Sequence, residues 1–287
     1  MKKLMRNDDC WCGSGLKYKK CHMEQDEYLK KLSKEVGYKI PKDIIKTPAQ
    51  IEGIRKSGVI THAILDLMED VIKPGVTTEE LNKIAHDYTI EHGGIPAPLN
   101  YGGFPKSICT SINEVVCHGI PEDRALKDGD IINVDVTTIL DGYYADASRM
   151  YIVGNASEEA VKLVNDTKKA LELGMEQVKP FSTVGHIGHA IESFANENGY
   201  SVVYEYGGHG IGTKFHEEPF VAHVGDPGEG MILLPGMVFT IEPMLNIGKP
   251  ETRVLRDDWT AVTRDGSLSA QWEHTLVVTE SGYEVLT

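Results

Sequence analysis

Two aspartates, Asp135 and Asp146, lie on either side of a short turn signal and could share one chemical task. The dipeptide Asp141-Gly142 separates two apolar stretches and is typical of a two-residue hairpin turn. That turn sets Asp135 opposite Ser148 and Asp146 opposite Thr137, so the two carboxylates are diagonal neighbours on one face of the sheet. Because paired carboxylates among apolar neighbours repel each other unless a cation or a shared proton neutralises them, the hairpin predicts a cation site.

Three residues in the second half of the chain could complete this site. Glu242 ends a predicted strand, Glu273 begins another, and His209 lies in the glycine-rich stretch 207–212. Four carboxylates and one imidazole favour manganese, iron(II) or cobalt over a structural zinc. Two divalent cations would balance the four negative charges, which favours a pair of ions. Considered one at a time, a carboxylate on a strand more often faces solvent than binds a metal ion, and a single histidine more often has a structural role than a ligand role.

Other catalytic motifs are incomplete in this chain. The glycines at 208, 210 and 212 lack the remaining glycine of a dinucleotide loop and the Gly-Lys-Ser/Thr of a phosphate loop. His216-Glu217 lacks the second histidine of an H-E-x-x-H zinc helix, and the sequence has no Gly-x-Ser-x-Gly turn. None of these motifs therefore competes with the metal centre.

A second cluster of metal-binding residue types lies near the N-terminus. Cys10, Cys12, Cys21 and His22 fall within thirteen residues. Three thiolates and an imidazole are typical ligands of a closed tetrahedral zinc site, and zinc would supply the folding energy of so short a segment. The alternative is a flexible tail with incidental cysteines.

Charge is distributed unevenly along the chain. The net charge is −14, yet residues 1–46 carry +5 and the remainder −19. Three lysines around Tyr18 could dock onto RNA or an acidic protein surface, or could form an ordinary solvated face. The Lys/Glu-rich stretch 24–46 predicts a short helix or linker. We place a boundary near Pro41, between an extension (1–40) and a body (41–287).

The body contains two copies of one helix-helix-sheet unit. At an offset of 106, five residues recur as identical types: Lys73, Pro74, Thr77, Glu91 and Gly93 match Lys179, Pro180, Thr183, Glu197 and Gly199. Helices are predicted from Thr47 to the Lys73-Pro74-Gly75 stop, from the capping box at Thr77, and over about 157–179 and 183–199. Strands are predicted over 131–139, 143–153, 202–206, 237–241 and 271–279. The predicted fold class is α/β (α+β), with two related halves whose sheets meet at a site.

Length and composition limit the classes of protein that remain. With 287 residues, 41% hydrophobic and 25% charged, the chain can bury an ordinary core, which excludes disorder, collagen and coiled coil. No apolar run approaches the roughly 18 residues of a membrane span, and the N-terminus lacks the apolar stretch of a secretory signal. Three cysteines within 10–21 suit a metal cluster in a reducing compartment. We therefore expect a cytoplasmic protein without membrane contact.

Several motifs together resemble the type I methionine aminopeptidases. The matching segments run in the family's order from about residue 43 to the C-terminus: 113–121 (NEVVCHGIP), 133–136 (NVDV), 146–148 (DAS), 208–219 (GHGIGTKFHEEP), 240–244 (TIEPM) and 271–275 (QWEHT). Residues 9–22 resemble the SEC-C zinc motif. The resemblance implies the pita-bread fold, with two pseudo-twofold related α/β halves.

The resemblance also assigns roles to residues. It implies five metal ligands, namely Asp135, Asp146, His209, Glu242 and Glu273. It implies that His118 and His216 contact the substrate and the transition state. We expect Glu242 to carry the proton to the leaving amine. The implied methionine pocket consists of Pro98, Tyr101, Phe104, Cys109, Phe215 and Trp259, whose aromatic members could instead be core residues. Many bacterial relatives have cysteine where Pro98 stands.

The implied reaction removes the N-terminal methionine of nascent proteins and peptides, through a hydroxide activated by two metal ions, when the second residue is small. We expect one zinc in the extension, association with the ribosome through it, and a monomer. An X-Pro aminopeptidase or prolidase of the same fold is the first alternative, although such enzymes carry a large extra N-terminal domain. A metal-free adaptor for RNA or the ribosome is the second.

Overall fold

The computed structural model describes residues 4–11, 15–37, 39–41 and 43–287. Five α-helices lie in these ranges: α1 Met23–Glu35, α2 Pro48–Val71, α3 Thr78–Glu91, α4 Glu158–Glu176 and α5 Val184–Glu197. The Thr47 hydroxyl accepts a hydrogen bond from the Gln50 backbone N–H, and the Gln50 side-chain oxygen accepts one from the Thr47 backbone N–H, so α2 begins at a capping box. Thr77 and Glu80 do the same for α3, as the sequence predicts.

Fifteen strands occur in the described residues. They are β1 Ile95–Pro96, β2 Cys109–Ile112, β3 Val115–Cys117, β4 Ile131–Leu140, β5 Tyr143–Ile152, β6 Ser201–Val202, β7 Gly208–Gly210, β8 Glu217–Val221, β9 Val238–Ile241, β10 Met244–Asn246, β11 Thr252–Val254, β12 Ala261–Thr263, β13 Ser269–Gln271, β14 Glu273–Val278 and β15 Tyr283–Val285. The central sheet has the order β1-β4-β5-β14-β9-β7-β8, with β2 beside β4 and β15 beside β14. Two three-stranded sheets, β13-β10-β6 and β11-β12-β3, accompany it.

The hairpin β4–β5 has the predicted register. Asp135 lies opposite Ser148 and Thr137 opposite Asp146. The turn residues Asp141 and Gly142 both have positive φ, 51° and 83°, which a type I′ turn requires. The local sequence thus fixes which residues share a face of the sheet.

Two strand predictions need correction. The strand expected over 202–206 is only Ser201–Val202, and the strand expected over 271–279 divides into β13 and β14, which belong to different sheets. The division falls at Trp272, whose indole Nε1 donates to the Val164 carbonyl at 3.0 Å. This contact directs the Trp272 side chain toward α4. The strand before Trp272 (β13) and the strand after it (β14) therefore belong to different sheets.

The predicted duplication is visible in the backbone. The bounds of α3 and α5 differ by 106 residues at both ends. Gly75 N donates to Leu126 O at 2.8 Å, and the equivalent bond runs from Phe181 N to Leu233 O at 2.8 Å. In the central sheet, β5 of the first half and β14 of the second are neighbours, flanked by β4 and β9. The two halves therefore meet between β5 and β14.

Each half buries its helices against the sheet. Ile64, Met68 and Leu81 of α2 and α3 form one core cluster with Val134. A larger cluster contains residues of α4, α5 and β9, and it also includes Leu29 of α1. The extension is thus packed onto the body through α1. None of the helices in the described ranges is both long and apolar enough to cross a bilayer.

Candidate functional site

The five predicted metal ligands lie on neighbouring strands of the central sheet. Asp135 is on β4, Asp146 on β5, His209 on β7 and Glu273 on β14, while Glu242 directly follows β9. Ser148 pairs with both Asp135 and Glu273, so these three residues form one row across β4, β5 and β14. All five ligand candidates line one cavity of 410 Å³. Strands from both halves therefore contribute to the site.

Distances between the side chains are compatible with shared ions. His209 Nε2 lies 3.8 Å from Asp146 Oδ2 and 3.7 Å from Glu242 Oε1. Asp146, His209 and Glu273 each place one ligand atom within 4.8 Å of the others. His209 Nδ1 lies 3.0 Å from the Gly210 carbonyl, which can only accept, so Nδ1 carries the proton. That tautomer leaves the Nε2 lone pair directed at the carboxylates, as metal ligation requires.

The carboxylates repel one another in a buried environment. Burial raises the pKa of Asp135 to about 6 and that of Glu242 to about 8. Burial and neighbouring carboxylates raise the pKa values of Asp146 and Glu273 well above the usual range. No lysine or arginine lines the cavity in the described part of the chain. The cluster therefore lacks the positive charge that buried carboxylates need, and divalent cations fit its donor set.

Surrounding polar groups hold the ligand candidates in place. Thr137 Oγ1 donates to Asp146 at 2.8 Å, and Thr240 Oγ1 donates to Glu242 at 2.8 Å. The Glu242 amide donates to His223 Nε2 at 3.1 Å. Sequence reasoning missed Thr240 and His223 as supporting residues, although the strand position of Thr240, two residues before Glu242, was a usable signal.

His118 and His216 line the same cavity as the acidic cluster. The His216 ring lies 4.2 Å from the His209 ring, between centroids, and its Nδ1 lies 2.9 Å from the Tyr101 hydroxyl. Burial lowers the pKa of His118 to about 4, and it also lowers the pKa of His216. Both imidazoles are consequently uncharged at neutral pH and can donate or accept one hydrogen bond.

The predicted methionine pocket is the apolar part of this cavity. All six predicted residues line it: Pro98, Tyr101, Phe104, Cys109, Phe215 and Trp259. Phe104 contacts Trp259 edge-on, with 5.2 Å between ring centroids, and Tyr101 contacts Phe215 at 4.7 Å. Tyr206 and Met244 also line the cavity, and sequence reasoning missed both. Met244 stands two residues after Glu242, and this spacing in the sequence was a usable signal that both side chains face the cavity.

Part of the predicted zinc site can be described. Cys10, Cys21 and His22 each place one ligand atom within 4.8 Å of the others. His22 Nδ1 lies 3.2 Å from Cys10 Sγ and 3.1 Å from Cys21 Sγ. The fourth predicted ligand, Cys12, lies outside the described residues. Two sulfurs and an imidazole nitrogen at these distances fit a soft divalent ion such as zinc.

Comparison with known proteins identifies the two regions. A model of metallopeptidase family M24 matches residues 52–280, and a SEC-C motif model matches residues 6–24. Methionine aminopeptidase A of Synechocystis is 55% identical over 83% of this chain and 94% of its own length. Methionine aminopeptidase of Chlamydia trachomatis is 47% identical over 99% of both chains, so its match includes the extension.

A solved structure supports the same grouping. The crystal structure of methionine aminopeptidase from Rickettsia prowazekii superposes with a TM-score of 0.84 at 50% identity, covering 85% of this chain and 98% of that one. The expected pita-bread fold and the resemblance to this family are both confirmed. Because the family model spans most of the body and the relatives align over nearly their whole length, the chain belongs to metallopeptidase family M24.

Proposed function

We propose that this protein removes N-terminal methionine from nascent proteins and peptides by means of two divalent metal ions. The observation that carries the proposal is the convergence of Asp135, Asp146, His209, Glu242 and Glu273 on a cavity with an apolar wall. Relatives that are 55% and 47% identical bear the name methionine aminopeptidase, which supports the same reaction.

The metal ions would be held by the four carboxylates and by His209 Nε2. Manganese, iron(II) or cobalt suits this oxygen-rich set, and two dications balance its four negative charges. When bound, such ions lower the pKa of water and polarise the scissile carbonyl.

The chain's own residues would handle the substrate and its protons. His118 and His216, both uncharged, line the cavity and would donate a hydrogen bond to the oxygen of the reacting carbonyl. Glu242, which lines the cavity beside His209, would carry a proton to the leaving amine. The free α-amine of the substrate would bind at the metal site, which accounts for an exopeptidase.

The apolar wall would select the methionine side chain. Thioethers pack well against aromatic rings, and Tyr101, Phe104, Phe215 and Trp259 supply them. We extend the proposal to a preference for a small second residue, on the strength of the resemblance to the type I enzymes.

The extension would bind one zinc ion through Cys10, Cys12, Cys21 and His22. We propose that it brings a monomeric enzyme to the ribosome in the cytoplasm, where new N-termini emerge. Support comes from the clustered Cys10, Cys21 and His22 and from the exposed lysines Lys17, Lys19 and Lys20.

One assay tests the proposed reaction. The protein, stripped of metal and reloaded with manganese or cobalt, is given Met-Ala-Ser, Met-Lys-Ser and Ala-Pro-Ser peptides in parallel. We expect release of methionine from Met-Ala-Ser far faster than from Met-Lys-Ser. Preferential cleavage of Ala-Pro-Ser would indicate an X-Pro peptidase instead, and no cleavage together with no bound divalent ion would indicate the adaptor. Elemental analysis of gently purified protein would show how many ions the two sites hold.

A further inference from the structure

A buried ion pair joins the segment before α2 to a loop of the proposed active site. Lys46 Nζ contacts Glu217 Oε2, and the two side chains are only 2% and 9% exposed. Lys46 Nζ also donates to the Asp43 carbonyl at 2.7 Å. The Lys46 amide donates to the Gly236 carbonyl at 2.8 Å, so the backbone that carries this lysine is itself fixed to the body.

The other oxygen of Glu217 closes the loop that precedes it. Glu217 Oε1 accepts hydrogen bonds from Thr213 N at 2.8 Å, Thr213 Oγ1 at 2.9 Å and Lys214 N at 2.8 Å. Burial by itself raises the pKa of this carboxyl, but Lys46 and Thr213 outweigh burial and the pKa is lowered. Glu217 is therefore a charged centre with one oxygen on the loop and the other on Lys46.

This loop carries two residues of the proposed active site. Phe215 and His216 stack on each other with 4.4 Å between ring centroids, and His216 lies 4.2 Å from His209. At the start of the loop, a Cβ added to Gly212 would lie 2.6 Å from Ile54 Cδ1 and 3.2 Å from Lys46 Cε. The start of the loop therefore packs directly against the aliphatic part of the Lys46 side chain and against Ile54 of α2.

We propose that Lys46 is a positioning residue, which holds His216 in its working place through Glu217. The inference rests on the proposed function, because it assigns His216 to the reaction. Lys46 does not line the cavity that holds the acidic cluster. Without it, Glu217 keeps its place at the start of β8 and its bonds to Thr213 and Lys214, but its carboxylate loses the contact that ties the preceding loop to the segment before α2. The loop then moves as a unit, and a displacement of about 1 Å can cost on the order of 100-fold in rate.

The test uses the full-length, metal-loaded protein and Met-Ala-Ser. For Lys46→Met we expect kcat to fall about 10- to 100-fold while KM changes less than about threefold, because the metal centre and the pocket residues outside the loop, Tyr101, Phe104 and Trp259, remain and only Phe215 shifts with His216. Glu217→Gln, which keeps an oxygen acceptor of the same shape, should lower kcat in the same range. The double variant Lys46→Met/Glu217→Gln should recover thermal stability, since neither charge is left buried alone, yet keep the low kcat.

Two controls separate positioning from general destabilisation. Leu163→Ala removes a buried side chain of α4 and should lower the unfolding temperature without a comparable loss of kcat. In a His216→Ala background, Lys46→Met should cost no further kcat, because it acts through His216.

A measurement independent of turnover completes the test. In metal-free protein, NMR should detect shifted resonances of the Phe215 and His216 ring protons in Lys46→Met, because the loop changes its position against the His209 ring. Parent-like kcat in Lys46→Met, recovery of kcat together with stability in the double variant, or unchanged ring resonances of Phe215 and His216 would overturn the inference. If the parent protein itself fails to release methionine, the proposed function falls and the inference with it.

Discussion

The two candidate metal-binding regions of this protein are built on opposite principles. The N-terminal cluster takes its ligands from residues 10–22, uses sulfur and nitrogen donors, and lies where the chain has little core of its own. The central cluster takes oxygen donors and one nitrogen from positions 135 to 273, all held by one sheet. We therefore expect the first region to need its ion in order to fold, whereas the side chains of the second are brought together by the folded sheet.

The largest expected effect tests the central cluster. Asp135→Ala removes one buried ligand candidate, and turnover should fall below about 1% of the parent, since even residues that only support ligands cost 10- to 100-fold. Steady-state kinetics with manganese and elemental analysis would measure it. Asp123→Ala, at an exposed carboxylate, is the matched control. An Asp135→Ala enzyme with normal rates would refute the ligand role.

The next effect concerns the support around that cluster. Thr240→Val removes the hydroxyl that donates to Glu242 and accepts from the His209 amide. We expect manganese affinity to weaken about 10- to 100-fold, measured by calorimetry. Thr263→Val, at a buried threonine bonded to the Ser267 carbonyl, should leave the affinity unchanged. Equal effects of the two substitutions would mean that the sheet does not orient the ligands in this way.

A smaller effect is expected at the pocket. Tyr101→Phe removes the hydroxyl that lies 2.9 Å from His216 Nδ1 but keeps the aromatic ring. One such hydrogen bond corresponds to about a threefold to tenfold change in kcat. Tyr88→Phe on α3 serves as the control. Loss of methionine selectivity without loss of kcat would instead assign the hydroxyl to substrate binding.

The smallest effect on turnover is expected from the N-terminal cluster. Cys10→Ser removes a zinc ligand candidate, so the extension should lose zinc and amide protection, while peptide turnover stays within about twofold. Deleting residues 1–22 should act similarly and weaken ribosome binding. A collapse of peptide turnover in either variant would mean that the two regions are not independent.

Removal of more of the extension should have a different consequence. Leu29 and Ile40 belong to the buried core cluster of the body, so deletion of 1–40 exposes core surface. Leu29→Ala alone should cost about 2–3 kcal/mol of unfolding free energy. Urea unfolding would measure this loss, with the exposed Leu16→Ala as control. No change in stability would place α1 outside the folded body.

Local signals in the sequence were sufficient for the hairpin and the helix starts. The Asp141-Gly142 turn fixed the register that puts Asp135 and Asp146 on one face, and Thr77 fixed the start of α3. The strand over 271–279 could not be resolved in this way. Its division at Trp272 depends on a contact with Val164, which lies 108 residues earlier in the chain.

The sequence by itself determined the chemistry available to this protein: which residues are acidic, which are soft metal ligands, and how a duplicated unit repeats. These follow from residue type and short-range backbone geometry, which need no distant partner. Only the tertiary structure decided that Lys46 is buried against Glu217, that Thr240 supports Glu242, and that α1 joins the body's core. Each of those contacts depends on burial and on segments brought together by folding, and no local pattern encodes that proximity.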